Sequence, residues 1–260
     1  PQNGWHRYVV KFSCSVSNLI QWRGEVPIPQ ASHPSWLLPT KDDVAVKMAR
    51  MQVELRQAGW KVLACDPEII ATLCNKSSLR DHAEKLGMLD TMPVHWNSPQ
   101  DATYPCILKA AIGDHGKGTH IVNSLAEVYK ITTEGFGSRW LLQELVTGRS
   151  EFSTSLLVVK GKILDAICTQ YVYDNDIYVW PRCRLVFKKT HDSDIIPAQH
   201  LQIMTSFLKG FTGICNFNYK FRDGQMVILE INPRVGGDLT CDVPPARACE
   251  LFEKLDSLTL

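Results

Sequence analysis

The chain has 260 residues, 45% of them hydrophobic, enough to bury one large core or two small ones. Its 28 basic and 27 acidic residues nearly cancel, so it carries no electrostatic footprint for nucleic acid or an acidic membrane surface. No apolar run approaches the roughly 18 residues of a membrane span, and the N-terminus has no secretory pattern. The sequence starts at Pro1 rather than Met, which leaves room for a preceding segment. Nine cysteines lie at irregular spacing with no Cys-x-x-Cys pair. That usage predicts reduced, buried thiols and a cytoplasmic protein rather than a disulfide framework or a zinc site.

In chain order, Tyr8 to Val16 reads as a strand, and Pro27, Pro29, Pro34 and Pro39 make the following stretch a loop. Trp36 to Leu38 is a short strand candidate before Thr40, which stands at an N-cap position. Val44, Met48, Met51 and Leu55 recur at helical spacing between Lys41 and Ala58. Gly59 ends that helix, and Trp60 to Cys65 is the next strand, so the succession predicts an α/β unit. Asp66-Pro67 opens a helix through Leu73. Asn75 caps another from Lys76 to Leu86, stopped by Gly87. Lys76 thus sits in the first helical turn, where a cation opposes the helix dipole. The misfit favours an anionic partner; a solvated lysine is the plain alternative.

Pro93 and Pro99 mark an extended linker, after which strands dominate. Tyr104 to Ala111 is apolar but carries Lys109 near its end, and a lysine in such a run is rarely left unpaired. Next comes Gly113-Asp114-His115-Gly116-Lys117-Gly118-Thr119, then a strand from His120 to Asn123. The glycines would let backbone N–H groups converge on phosphate oxygens, with Lys117 adding charge. The loop is not a P-loop, because Gly118 follows Lys117 and a strand comes next; a glycine-rich hairpin turn would look similar.

Leu125 to Thr132 is a predicted helix, and Arg139 to Leu145 a strand ending in Gln143-Glu144. After a turn at residues 146–150, Glu151 to Lys160 and Lys162 to Tyr173 form a strand pair. Glu144 and Glu151 flank the turn, placed either to read a purine amino group and ribose hydroxyls or to face solvent. Residues 174–198 hold a loop and a strand from Arg182 to Lys188. Arg182, Arg184 and His191 face a substrate or, on the plainer reading, water. A helix from Gln199 to Phe211 leads to a hairpin: strand Ile214 to Phe221, turn Asp223-Gly224, strand Met226 to Ile231. Glu230 and Asn232 are two apart on a strand, so they share a face. A carboxylate ending an apolar run is costly to bury unless something positive meets it, and a hard cation such as Mg²⁺ takes oxygen ligands of this kind. Arg234 offers a planar fork for a phosphoryl group or carboxylate. Pro233 stiffens the exit, and Gly236-Gly237 allows close backbone approach. A helix from Pro245 to Leu255 closes the sequence.

Lys76, Lys109, the loop from Gly113 to Thr119, the Glu144 and Glu151 pair, and Glu230-Ile231-Asn232-Pro233-Arg234, in that order, resemble the ATP-grasp superfamily over about residues 66–240. The hairpin looks most like the branch holding biotin carboxylase and the carbamoyl phosphate synthetase large chain. The resemblance implies an α+β / α/β fold in which two α+β subdomains clamp ATP. An N-terminal α/β region would cover residues 1–75, the clamp 76–260, with a glycine-loop subdomain near 104–145 and a metal-site subdomain at 146–260.

By the same resemblance, Lys76 and Lys109 contact phosphates under the loop formed by Gly113, His115, Gly116, Lys117 and Gly118. Glu144 and the backbone of Leu145 border the adenine, and Glu151 holds the ribose. Glu230 and Asn232 ligate Mg²⁺ or Mn²⁺, and Arg234, with the two lysines, serves phosphoryl transfer. The implied activity is an ATP-dependent carboxylate–amine ligase working through an acyl phosphate. Its partners would be small carboxylates and amines such as amino acids, with neither nucleic acid nor membrane, and a homodimer is compatible.

Two departures stand out. Asn218 occupies the place of a usual acidic ligand, bringing an amide oxygen but no charge, and the region before Asp66 is short for the usual N-terminal domain. Two rival readings are phosphoryl transfer to a hydroxyl and a non-catalytic nucleotide-binding module. His115 is the candidate general base.

Overall fold

The computed structural model describes residues 35–63, 65–110, 118–137 and 139–258. The predicted strand Tyr8 to Val16 and loop residues Gly113, His115, Gly116 and Lys117 lie outside them. The first described unit is a small βαβ: β1 (Ser35–Leu37), α1 (Asp42–Arg50), α2 (Gln52–Gln57) and β2 (Trp60–Val62), with β1 and β2 parallel. The single helix expected from Lys41 to Ala58 is two, broken at Met51, whose φ of −106° and ψ of 20° leave the helical region.

Local chemistry sets the next two starts. The Asp66 side chain accepts from the Glu68 N–H with Pro67 in the first turn of α3 (Pro67–Cys74). Asn75 accepts from Ser77 N at 2.9 Å and Ser78 N at 3.1 Å, opening α4 (Lys76–Lys85).

Two antiparallel sheets follow. The smaller contains β3 (His95–Trp96), β4 (Cys106–Ala110), β5 (Thr119–Val122) and β6 (Trp140–Glu144), ordered β3-β6-β4-β5. Cys106, Leu108, Val122 and Leu142 bury one face against Val128 of α5 (Leu125–Ile131). By strand alternation the opposite face carries Ile107, Lys109 and Gln143. The stretch after Pro93, expected as a plain linker, holds β3.

The larger sheet, ordered β11-β10-β7-β8-β9, comprises β7 (Ser150–Val159), β8 (Lys162–Tyr173), β9 (Leu185–Asp192), β10 (Gly213–Arg222) and β11 (Gln225–Asn232). One face packs Leu156, Val158, Phe217, Tyr219 and Ile228 against α1, α3, α4 and α6 (Ala198–Phe207). On the other, Leu157, Ile167 and Ile214 meet Leu239 of α7 (Gly237–Cys241) and Leu251 and Leu255 of α8 (Pro245–Asp256). Further along that second face the residues turn polar. The turn between β10 and β11 has φ of 51° at Asp223 and 80° at Gly224, the positive pair that this two-residue connection needs.

Cys65, Cys74, Cys106, Cys168, Cys183, Cys215 and Cys241 are free, but Cys249 is in a disulfide, so the expectation of reduced thiols fails there. The irregular spacing gave no sign of that pairing.

Candidate functional site

The site grows from the polar half of the large sheet. Register pairs Asn218 with Glu230 and with Ser153, and Asn216 with Asn232 and with Ser155, so these side chains share one face. A bulge decides this arrangement. Tyr219 pairs with Ile228 but Asn218 with Glu230, leaving Leu229 as an extra residue. Ile228 therefore stays in the core while Glu230 turns to the polar face.

Asn218 Nδ2 donates to Glu230 Oε1 at 2.9 Å, and Asn232 Nδ2 to the same oxygen at 3.2 Å. Burial alone would push the Glu230 carboxyl up, but Lys76, the amides of Asn232 and Asn218, and Lys109 outweigh it and hold it below the usual carboxylate value. Glu230 is thus a stable anion. Arg234 is held at three points: Nη2 donates to Asn232 Oδ1 at 3.1 Å, Nη1 to the Val235 carbonyl at 3.1 Å, and Nε lies 3.4 Å from Asp42 Oδ1.

Facing this row is the cleft side of the small sheet. Lys109, only 7% exposed, is pushed down to about 7 by burial and then by the like charge of Lys76, with Glu230 opposing the shift. His95 is pushed down to about 4 by burial and by Lys109 and Arg80, which keeps its imidazole neutral. Lys76 stands in the first turn of α4, as its position after Asn75 predicts. Cations on one wall and an anion with amide oxygens on the other suit a metal-bound polyphosphate.

Glu144 and Glu151 are placed differently. Glu144 Oε2 pairs with Arg222 and accepts from Val94 N at 3.0 Å, so its carboxylate is already engaged in tying the two sheets together. Its neighbour Gln143 lies on the Lys109 face, 5% exposed; among the described residues its Oε1 makes no well-formed hydrogen bond, and the imidazole of its register partner His95 interacts with it. The sequence draws attention to the charge beside it, because the shared face with Lys109 is set by the register of two strands rather than by a local pattern. Leu145 opens the irregular linker between the sheets.

Glu151 accepts from Tyr178 Oη at 3.0 Å, and Lys220 Nζ lies 4.3 Å from the centre of the Tyr178 ring. Burial raises the Glu151 carboxyl above the usual range, against the Tyr178 hydrogen bond and Lys220. Gly118 has a φ of 72°, a backbone state suited to glycine at the base of the loop. Of the basic residues between the strands, Arg182 Nη2 donates to the Thr119 carbonyl at 2.5 Å, bridging the sheets.

Among the described residues no group of three or more His, Cys, Asp or Glu is placed to hold a metal. A metal here would rest on Glu230 with the amide oxygens of Asn232 and Asn218. That all-oxygen set fits a Mg²⁺ ion whose remaining positions come from phosphate and water.

The molecule is therefore a two-sheet clamp, with Lys109 of the small sheet and Lys76 at the start of α4 set against the oxygen donors of the large sheet. Residues 75–238, more than half the chain, match the ATP-grasp domain, and the chain belongs to that family. No curated protein sequence matches it. Among solved structures it is similar to carboxyaminoimidazole ribonucleotide synthase from Aspergillus clavatus complexed with ATP, with a TM-score of 0.54 and 18% identity over 76% of this chain and 53% of that one. An L-amino acid ligase from Bacillus licheniformis has a TM-score of 0.51 and 15% identity over 77% and 55%. The biotin carboxylase domain of the Hydrogenobacter thermophilus 2-oxoglutarate carboxylase, a dimer with MgADP, ADP and bicarbonate, has a TM-score of 0.50 and 16% identity over 78% and 49%. The chain spans about half the length of these structures, and at such identities the likeness is one of fold.

Proposed function

We propose that this chain carries the nucleotide- and metal-binding clamp of an ATP-dependent ligase that joins a carboxylate to an amine through an acyl phosphate. The observation that carries the reading is Glu230, half-buried and kept anionic by Lys76, Lys109 and two amides at the mouth of the cleft. A carboxylate oxygen attacks the terminal phosphorus and ADP leaves. The amine then attacks the acyl carbon, phosphate leaves, and the amine proton passes to phosphate or solvent. Phosphoryl transfer asks the protein mainly for alignment and charge neutralisation.

Lys76 and Lys109 would bind the phosphates, and Arg234, pre-aimed by its three contacts, would steady the phosphoryl group in flight. Mg²⁺ held by Glu230, Asn232 and Asn218 would supply charge neutralisation when bound. Glu151 would take the ribose hydroxyls, with Tyr178 yielding its place. Gln143 Oε1, rather than the Glu144 carboxylate, would accept from the adenine amino group, because Glu144 is committed to Arg222.

The test is turnover of Mg²⁺-ATP with pooled small carboxylic acids, with and without hydroxylamine, separating ADP from AMP. ADP with a hydroxamate is expected, and Glu230→Gln should remove both while the fold persists. AMP in place of ADP, or turnover surviving in E230Q, would overturn the reading.

A further inference from the structure

We propose that Tyr171, Lys188 and Asp242 form the subsite for the incoming amine, and that this amine bears a carboxylate as well as an ammonium group: an amino acid or a compound built like one. The inference rests on the ligase reading and adds the class of the second substrate.

Placement comes first. Soon after Arg234 the chain enters α7, and Asp238 within it accepts from Ser155 Oγ at 3.0 Å to each oxygen and from Asn216 Nδ2 at 2.9 Å. Asn216 and Asn232 are register partners, so Asp238 fixes α7 directly beside the Glu230 row. Asp242 N donates to the Asp238 carbonyl at 2.8 Å, and one helical turn carries the Asp242 carboxylate over β8. There Tyr171 Oη donates to Oδ2 at 2.7 Å and Lys188 Nζ to Oδ1 at 2.6 Å. Tyr171 and Lys188 are register partners on β8 and β9, on the same face as Glu151 and Ser153. Three strand spacings separate β8 from the Glu230 strand, roughly 14 Å. A phosphoryl group, the acyl group it activates and an amine at an attack distance of about 3 Å fill such a span.

Charge comes second. The Lys188 and Asp242 side chains are 43% and 24% exposed, too open for their pairing to add much stability. The pair can therefore open at little cost. An ammonium entering at Asp242 Oδ1 replaces the Lys188 ammonium, and the freed Lys188 meets the substrate carboxylate; the ammonium gives one proton to solvent before its nitrogen attacks the acyl carbon, and the second proton leaves with phosphate or to solvent. Both charges are satisfied before and after, and Tyr171, whose phenol burial keeps protonated, holds the second Asp242 oxygen in place. A simple amine gains only the Asp242 contact, whereas a zwitterion gains the Lys188 contact as well, so the subsite favours a zwitterion.

The test sets two nucleophiles against one activated donor. With Mg²⁺-ATP and the pooled carboxylic acids, hydroxylamine reports donor activation as hydroxamate. Pooled amino acids, and separately the corresponding decarboxylated amines, report use of the amine subsite as ADP release and product mass. Amino acids should turn over and the decarboxylated amines should not. Asp242→Asn and the more exposed Lys188→Met should each lower the ratio of amino-acid to hydroxylamine turnover about tenfold. Decarboxylated amines serving equally well, or ratios unchanged in both variants, would overturn the proposal while hydroxamate formation upheld the ligase reading. Absence of hydroxamate from the unaltered protein would overturn both.

Discussion

Nucleotide binding should draw a proton onto Lys109. In the empty cleft this lysine titrates at about 7, because burial and Lys76 both disfavour its charge. Phosphate oxygens restore the reason to be charged, so the bound lysine returns toward its ordinary value. Between pH 6 and 8 the protonated fraction of the empty form falls from about 0.9 to about 0.1. Affinity should therefore fall about tenfold across that window, about 1.4 kcal/mol. At pH 7 binding should take up about half a proton, which calorimetric titration with Mg²⁺-ADP in two buffers of different ionisation enthalpy measures directly. The nucleotide has its own pH dependence, so Lys109→Met is the control: it should bind more weakly and lose the Lys109 component of the slope. Parallel profiles for the two proteins, with no difference in proton uptake, would refute the argument. The same shift has a sign for stability. The unfolded chain binds the extra proton between about 7 and 10.5, so the empty protein gains stability as pH rises through that window.

Asn218→Asp replaces a donor to Glu230 with a second carboxylate. The metal-free protein should lose about 1–2 kcal/mol, and its thermal midpoint should rise more with Mg²⁺ than that of the unaltered chain; equal Mg²⁺ shifts would count against this metal site. At Gly236 a Cβ would stand 2.2 Å from Asp238 Oδ1 and 2.9 Å from Asn216 Nδ2, whereas at Gly237 it would meet nothing within 4 Å. Urea unfolding should show Gly236→Ala costing about 1–3 kcal/mol and Gly237→Ala neutral or slightly stabilising. Arg247, 15% exposed, pairs with Asp165, itself 3% exposed, and with Asp192. Arg247→Met should cost about 3 kcal/mol in the same assay, because Asp165 keeps only the Ala166 N–H, at 2.9 Å, and the exposed Lys254, at 3.5 Å.

The parts of the fold legible in the sequence are those whose physics is local. The Asn75 cap placed Lys76 at a helix start, Asp223-Gly224 fixed the hairpin turn, and spacing put Glu230 and Asn232 on one face. What stayed hidden depends on contacts between distant segments. The resemblance places Glu144 at the adenine, and nothing nearby in sequence shows that Arg222 takes its charge. Asp238 has no local signal in the sequence; only the folded sheet brings Ser155 and Asn216 to it. The strand expected from Arg182 is Leu185–Asp192, because pairing with β8, not local composition, sets its start. Cys249 belongs with these: a disulfide is a fact about two places, and spacing describes only one.

The extra residue at Leu229 makes β11 behave like a message with a reading frame. Upstream of it, Met226 and Ile228 are read into the core; downstream, Ile231 is read into the core and Glu230 into the cleft. Between the Asp223-Gly224 turn and Glu230, adding a single residue would shift the frame and bring Leu229 to the cleft in place of the carboxylate, and losing one would bring Ile231. The segment can accept many substitutions, but its length is part of the site.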